Sequence, residues 1–358
     1  MKILWLSPVL NHYKSRFLNH LAESIDITVL KGSERKMSGD KELVNDWNFD
    51  IIKINVPKSK FGFSSTVRKT LKKNFKNYNW ILIPAEKKNL LLLIYAIYLR
   101  RFNKGTKLIS YNHLFIKPHK GDVKYIDKLI TKFFYRNLDR VIFYTEQSYK
   151  IALKKNLLKS NKAFWANNTI DTFEVNKNYK FSLPPEHPIT IVFIGRLIKI
   201  KRIDVLINFF EKINERNDNK FFLEIIGDGP ENHIVKKALK SNSNIIWHGT
   251  LVDEVKIAPI MKKASLVFVP GLSGLSINHA FAYGRPYATF SAERHGPEIS
   301  YLINGVNGFI INKNLNVIEE FLKNRKKIED FCNAANRTSK DLGINVWLEQ
   351  IILALNEN

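Results

Sequence analysis

Arg196 follows the apolar run TIVFI after Gly195 alone, and Lys201 comes five positions later. A turn that offers a glycine, the first N–H groups of a helix and two cations suits an anion. It would hold a diphosphate and neutralise the charge that grows as the diphosphate departs. In isolation such a pair reads better as two solvated cations beside a turn, but the segments downstream reverse that reading. Gly227-Asp228-Gly229-Pro230 ends a second apolar run, with Pro230 placed to start a helix. His248-Gly249-Thr250-Leu251 ends a third, where backbone near Leu251 is either a partner for a nucleobase edge or a simple turn. From Pro270 to Pro286, Gly271 and Gly274 let the chain come close to a ligand, and the next helix aims its positive end back at the loop. The N–H groups of Leu275 and Ser276 become candidate phosphate donors. His279 joins the candidate set. Glu298, in HGPE, is either a member of it or a carboxylate favourably placed at a helix N-terminus.

In the first half, Asn112-His113 follows KLISY. His113 is a candidate contact to a transferring sugar or to its acceptor, with a surface or internally satisfied histidine as the alternative. Asn11, His12 and Tyr13 follow the first apolar run and are candidates on the acceptor side. The chain has no D-x-D carboxylate pair, no cysteine–histidine cluster and no G-x4-G-K-[ST] loop, so neither a metal site nor a separate cofactor is expected.

Positioning these turns requires buried strands that end at a common edge. Short runs rich in Ile, Leu, Val and Trp predict strands at Lys2–Ser7, Ile27–Lys31, Ile51–Ile54, Trp80–Pro84, Lys107–Tyr111, Arg140–Tyr144 and Lys162–Ala166. Helical stretches at 14–23, 65–76, 88–102, 124–137 and 146–156 separate them, a βαβ series with a parallel sheet. A proline-bearing linker is expected at 172–189. The series restarts with strands at 190–194, 221–226, 244–247, 265–269, 287–290 and 308–311. Helices are expected between them at 201–215, 231–240, 253–263, 275–283 and 297–303. The chain closes on an amphipathic helix, VWLEQIILALN. Two doubly wound, Rossmann-like α/β domains facing a central cleft are the simplest solution. The division is 1–175, 176–340 and 341–358, the last ending in a helix with no strand to follow.

At 358 residues, with 45% hydrophobic and 12% aromatic content, the chain is long enough for two packed cores. One cysteine, Cys332, excludes an internal disulfide framework and agrees with a reducing compartment. The opening run breaks at Asn11-His12-Tyr13-Lys14 without a small-residue cleavage site, so it reads as a strand rather than a signal peptide. The run Leu90–Leu99 is too short to span a bilayer.

The net charge of +24 is unevenly placed: 33 Lys+Arg against 14 Asp+Glu up to residue 175, and 24 against 19 from 176 on. The densest part is 57–76, PKSKFGFSSTVRKTLKKNFK, which has seven cations and no acid. Each cation near an acidic leaflet contributes about 1 kcal/mol, which suits reversible docking on an anionic membrane surface. The alternative is a solvated basic helix face. No recognition-helix, zinc or RNA-binding motif accompanies the charge, so no nucleic-acid partner is expected.

In order and spacing, GRLIKIK, IIGDGP, HGTL, PGLSGLSINHAFAYGRP and HGPEISYLINGVNGFII resemble the retaining GT-B glycosyltransferases of glycosyltransferase family 4 / group 1. The likeness is strongest over 190–311, with SYNH and NNTID as looser matches before it. The resemblance implies a GT-B fold, whose terminal helix returns to the first domain, and metal-independent transfer with retention. The donor would be a nucleoside-diphosphate sugar, of UDP or GDP type, bound mainly by the second domain. Arg196 and Lys201 would hold its diphosphate, with backbone around Gly274, Leu275 and Ser276, and His113 would lie near the reacting sugar. The acceptor would be a lipid-linked or lipopolysaccharide/O-antigen oligosaccharide. The enzyme would sit in the cytoplasm, peripherally on the inner face of the membrane. Where the family carries two glutamates eight positions apart, this chain has Gly271 and His279, of which His279 keeps the means to bond a ribose hydroxyl. Arg202 replaces another common glycine, and Asn11-His12-Tyr13 replaces the glycine pair after the first strand. A non-catalytic GT-B partner subunit and a nucleotide-sugar epimerase or phosphorylase of the same fold remain the alternatives.

Overall fold

The structure, a computed structural model, describes residues 1–33, 47–114, 123–218, 220–291, 293–312 and 314–356. It divides into two compact units. One takes in the described residues up to Asn168 together with the chain from Asn345 onward, and the other runs from Thr169 to Ile344. The boundary precedes residue 175 because Thr169 Oγ1 donates to Leu342 O at 2.7 Å, which ties that stretch into the second unit.

The first unit is built on seven parallel strands: β1 (Lys2–Ser7), β2 (Asp26–Lys31), β3 (Asp50–Lys53), β4 (Trp80–Leu82), β5 (Lys107–Asn112), β6 (Arg140–Phe143) and β7 (Ala163–Trp165). Their order is β3-β2-β1-β4-β5-β6-β7. Strands such as β1 and β5 are exposed only at their first residue and buried thereafter, because helices cover both faces. Those helices are α1 (His12–Ala22), α2 (Ser65–Asn74), α3 (Leu90–Arg100), α4 (Tyr125–Asn137) and α5 (Glu146–Lys154). Side-chain caps from Asn11, Ser64 and Thr145 satisfy N–H groups at the starts of α1, α2 and α5.

The expected linker opens with a helix instead, α6 (Thr172–Asn178), because Asp171 caps Glu174 N and Val175 is buried. The second unit then forms a six-stranded parallel sheet from β8 (Ile189–Ile194), β9 (Phe221–Ile226), β10 (Ile245–Trp247), β11 (Ala264–Phe268), β12 (Tyr287–Phe290) and β13 (Gly308–Ile311). The order is β10-β9-β8-β11-β12-β13. Around it lie α7 (Ile203–Glu215), α8 (Asn232–Ala238), α9 (Glu254–Lys263), α10 (Ser276–Ala282), α11 (Asn316–Leu322) and α12 (Arg325–Lys340). Arg285 is fully buried, yet its guanidinium donates to Met261 O, Lys262 O and Tyr179 Oη, which offsets the cost of burying the charge. The last helix, α13 (Ile344–Asn356), packs on the first unit. Trp347 is buried there, with Nε1 donating to Tyr111 Oη at 3.1 Å and its ring 4.6 Å from that of Phe17.

In both sheets the strand order reverses beside the first strand of the unit, between β1 and β4 and between β8 and β11. Loops leaving two such strands diverge to opposite faces and leave a crevice at their carboxyl ends, where open α/β sheets bind ligands.

Candidate functional site

The reversal in the second unit brings together segments far apart in sequence. The turn after β8 holds Gly195, Arg196 and Lys201, and the loop after β11 holds Gly271 to Leu275. Gly195 N donates to Ile226 O and Leu197 N to Asp228 O, so this turn rests on the turn after β9. Gly227 has φ +136°, and any side chain there would collide with Gly195 O.

Lys201 is buried, and its ammonium is pushed down to about 8, first by burial, then by repulsion from Arg196, with Glu298 opposing. Arg196 and Glu298 thus both act on the Lys201 ammonium, with opposite sign. The loop after β11 is fastened to this turn by backbone: Gly271 N donates to Lys201 O at 3.1 Å and Leu272 N to Ile200 O at 2.8 Å. Among the described residues, no hydrogen bond takes up the N–H groups of Gly274, Leu275 or Ser276. The Ser276 hydroxyl turns the other way, 2.8 Å from Tyr287 Oη.

A second latch escaped the sequence reading. His295 Nδ1 accepts from Ser273 N at 3.2 Å and lies 2.8 Å from Ser273 Oγ, and its Nε2 sits 2.6 Å from Phe290 O. Ser273 N is a fixed donor, so the ring is the neutral tautomer with hydrogen on Nε2. Gly296 N closes the clasp on Ser273 O at 3.1 Å. Arg202, held at φ +56°, reaches Glu293 at 2.9 Å and ties the start of α7 to the same segment. The one available sequence signal was HGPE, which was read for Glu298 alone.

Burial lowers the His295 pKa, so the latch is complete above about pH 6.5 and fails as pH falls through the folded-state value. His295→Ala is expected to raise KM for the donor roughly fivefold to tenfold at neutral pH, as losing about 1 kcal/mol of hydrogen bonding implies. It should also flatten the acid limb expected in the wild-type pH profile of that KM. An unchanged acid limb would assign the titration elsewhere.

His279 requires a correction. Its side chain is 2% exposed and faces inward, with Nε2 3.2 Å from Glu254 Oε2, an oxygen that also accepts from Tyr283 Oη at 2.7 Å. The helix periodicity turns position 279 toward α9, so the imidazole braces α10 rather than lining the loop. Glu298 is buried beside Gly296 and acts on Lys201 electrostatically, and Leu251 is half-buried just before α9.

At the first unit's reversal, Asn11 Oδ1 accepts from Lys14 N at 3.0 Å. It is thus a helix cap, which accounts for its place after β1. His12 is buried, its ring 3.9 Å from that of half-buried Tyr13. His113 is half-buried after β5, edge-on to Tyr144 at 4.7 Å. Lys14, not singled out from sequence, donates to Ser7 Oγ at 3.2 Å, and its pKa is pushed down to about 8, first by burial and then by Lys58. Among the described residues no group of three or more His, Cys, Asp or Glu is arranged to hold a metal ion.

Two doubly wound parallel units joined in this order have the GT-B fold. Residues 175–338, most of the second unit, match the model of the family described as glycosyl transferases group 1. Anabaena Alr3699/HepE, solved in complex with UDP, is 16% identical, with 99% of each chain covered and a TM-score of 0.74. The lipopolysaccharide outer core galactosyltransferase WaaB is 13% identical, with 99% of each chain covered and a TM-score of 0.65. Sucrose-phosphate synthase from Thermosynechococcus elongatus is 13% identical over 99% of this chain and 98% of its own, with a TM-score of 0.69. No curated protein matches the sequence.

Proposed function

We propose that the protein is a retaining, metal-independent glycosyltransferase. It would move a sugar from a nucleoside-diphosphate donor to a lipid-linked or lipopolysaccharide-type oligosaccharide on the inner face of the cytoplasmic membrane. The observation that carries this reading is the juxtaposition of Arg196, buried Lys201 and the unused N–H groups of Gly274 to Ser276 at one strand-order reversal. The bond between the anomeric carbon and the diphosphate oxygen breaks, and negative charge moves onto the diphosphate. Both cations and the loop N–H groups meet that charge where it forms. The acceptor hydroxyl then bonds to the anomeric carbon on the face the diphosphate leaves, and its proton passes to the departing diphosphate oxygen. His113 is the proposed contact on the sugar side, with Tyr13 on the acceptor side. The UDP held by the Anabaena protein and the lipopolysaccharide substrate of WaaB support the donor and acceptor classes. The basic segment 57–76 supports contact with an anionic surface.

A thermal-shift screen against UDP, GDP, CMP and their sugars tests the donor assignment. A ligand at a hundred times its Kd adds about 2.7 kcal/mol, a rise of roughly 5–10 °C in Tm for a unit the size of Thr169–Ile344. One nucleoside diphosphate is expected to produce it. The absence of a shift with every nucleotide would remove the donor site. The inward His279 and side-chain-free Gly271 favour one second reading, a nucleotide-binding GT-B subunit without transfer activity. A nucleotide shift with no sugar transfer to any membrane-extracted acceptor would select it.

A further inference from the structure

α3 departs from the rule for helices that cover a parallel sheet, which are apolar inward and polar outward. Its sequence, LLLLIYAIYLR, is apolar all round, so its outward face is apolar too. Leu91, Ile94 and Tyr98 are 46%, 45% and 50% exposed, and Phe102, just past the helix, is 75% exposed. The spacing i, i+3, i+7, i+11 sets them along one face. α4 lies alongside, and Lys87 in the short turn just before α3 pairs with Asp127 in the first turn of α4 at 3.6 Å. Its outward face adds Tyr125, Ile126, Leu129 and Phe133, all exposed.

The charge around these stripes is mostly positive, although Arg100 pairs with Asp139 at 2.9 Å. α2, α3 and α4 carry eight cations: Arg68, Lys69, Lys72 and Lys73, then Arg100, then Lys128, Lys132 and Arg136. Their single carboxylate, Asp127, is buried and accepts from Lys124 N at 3.1 Å. A cavity of about 970 Å³ beside the second half of α4 repeats the pattern, with Lys132, Arg136, Lys159 and Lys162 around Leu153 and Leu157 and no carboxylate in its lining. An exposed aliphatic and aromatic ridge inside a ring of cations matches a bilayer with anionic headgroups, where chains take the ridge and phosphates take the ring. A second copy of this chain would set cations against cations. At 11 residues α3 cannot cross a bilayer, and no described helix is long and apolar enough to do so.

We propose that the outward faces of α3 and α4 insert into the interfacial layer of an anionic membrane and seat the first unit there. This deepens the membrane contact of the proposed function, which rested on charge at 57–76. It adds apolar insertion at a different set of residues, and its test needs no transferase activity, so failure of the nucleotide screen leaves it standing.

The experiment uses the full chain and vesicles of phosphatidylcholine with or without phosphatidylglycerol. Ile94→Cys, labelled with an environment-sensitive fluorophore, is expected to brighten and shift to the blue on anionic vesicles and to be quenched by chain-brominated lipid. The native Cys332 is fully buried and escapes the label. The variant L91S/I94S/Y98S/F102S should bind anionic vesicles at least roughly tenfold more weakly, since interfacial binding scales with buried apolar area. Its residual binding should vanish at about 0.5 M salt, where screening confines charge effects to a few ångströms. Its Tm should match the wild type because the removed side chains are exposed. A label at 94 that stays in water while the protein binds vesicles overturns the proposal. So does wild-type binding by the serine variant, or failure of the wild type to bind anionic vesicles. Sedimentation showing a lipid-free dimer that the serine substitutions dissociate also overturns it, by assigning the face to a second copy.

Discussion

The double variant Arg196→Ala/Lys201→Ala is expected to lose roughly 10³-fold to 10⁴-fold in kcat/KM for the nucleotide sugar, while its Tm at pH 7 stays level or rises. Each cation alone is worth about 10²-fold to 10³-fold, the range found when one pre-placed charge or donor is removed from a developing anion. The two losses should fall short of additive, because the groups are coupled. Arg196 depresses the Lys201 pKa, so removing Arg196 leaves a lysine more fully charged and partly compensating. The stability arm follows from linkage. The folded-state pKa of Lys201, about 8, lies below the unfolded value of 10.5, so folding is penalised while the lysine must be charged, below about pH 8. The penalty is relieved as pH rises from 8 toward 10.5. Lys201→Met therefore removes the desolvation penalty of a buried ammonium, with a smaller repulsion from Arg196, together on the order of 3 kcal/mol, and Tm at pH 7 should rise by several degrees. Lost turnover in a more stable protein would exclude misfolding as the cause. Turnover and donor binding at wild-type levels would show that neither cation holds the diphosphate.

The same group gives the donor site a pH signature. A bound diphosphate favours the charged lysine and raises its pKa, so binding takes up a proton wherever the free protein has lost it. Affinity for the nucleoside diphosphate should be flat below about pH 8 and fall above it, by up to about tenfold per unit. Lys201→Arg should keep the affinity level across that range, because a guanidinium does not titrate there. Calorimetry in buffers of different ionisation heat measures the proton directly.

The strands of both sheets were legible because parallel strands buried on two faces leave continuous apolar runs, and those runs stop where glycine turns begin. From their order the sequence also located the loops after β8 and β11. Legibility failed where a residue's partner lies far away or its direction matters. His279 had the right spacing for the donor loop, but the turn of α10 aims it at Glu254. His295 acts through Ser273, 22 positions earlier, a pairing that no local pattern records. α12 buries mainly small residues, Cys332, Ala334 and Ala335, so its apolar stripe is faint in an otherwise polar sequence. The α3 run was recognised as apolar and too short to cross a membrane. Which of its faces met solvent depended on where the sheet lay, and the exposed ridge emerged only from the fold.

Gly271 decides whether the donor loop can form, and the family's glutamate cannot be restored there without breaking it. A Cβ built at Gly271 would collide with the carbonyl oxygen of Ile200, and the carbonyl carbon of Lys201 lies only 2.7 Å away. Those atoms belong to backbone fastened by the bonds from Gly271 N and Leu272 N, so no rotamer change makes room. Gly271→Ala is expected to destabilise the second unit by about 1–3 kcal/mol, the usual cost of forced overpacking. It should raise the donor KM at least tenfold, because the loop must leave the Lys199–Lys201 turn that carries the cation. Gly271→Glu should do worse on both measures, despite adding a carboxylate able to bond sugar hydroxyls. Gly274 provides the contrast, since a Cβ there meets nothing within 4 Å. Gly274→Ala should leave Tm unchanged, yet it should weaken nucleotide binding, because the open space beside that glycine is where the phosphate must come close. A Gly271→Glu protein with wild-type Tm and improved turnover would mean that the loop reaches the donor by another path. Unchanged nucleotide affinity in Gly274→Ala would place the phosphate away from Leu275 and Ser276.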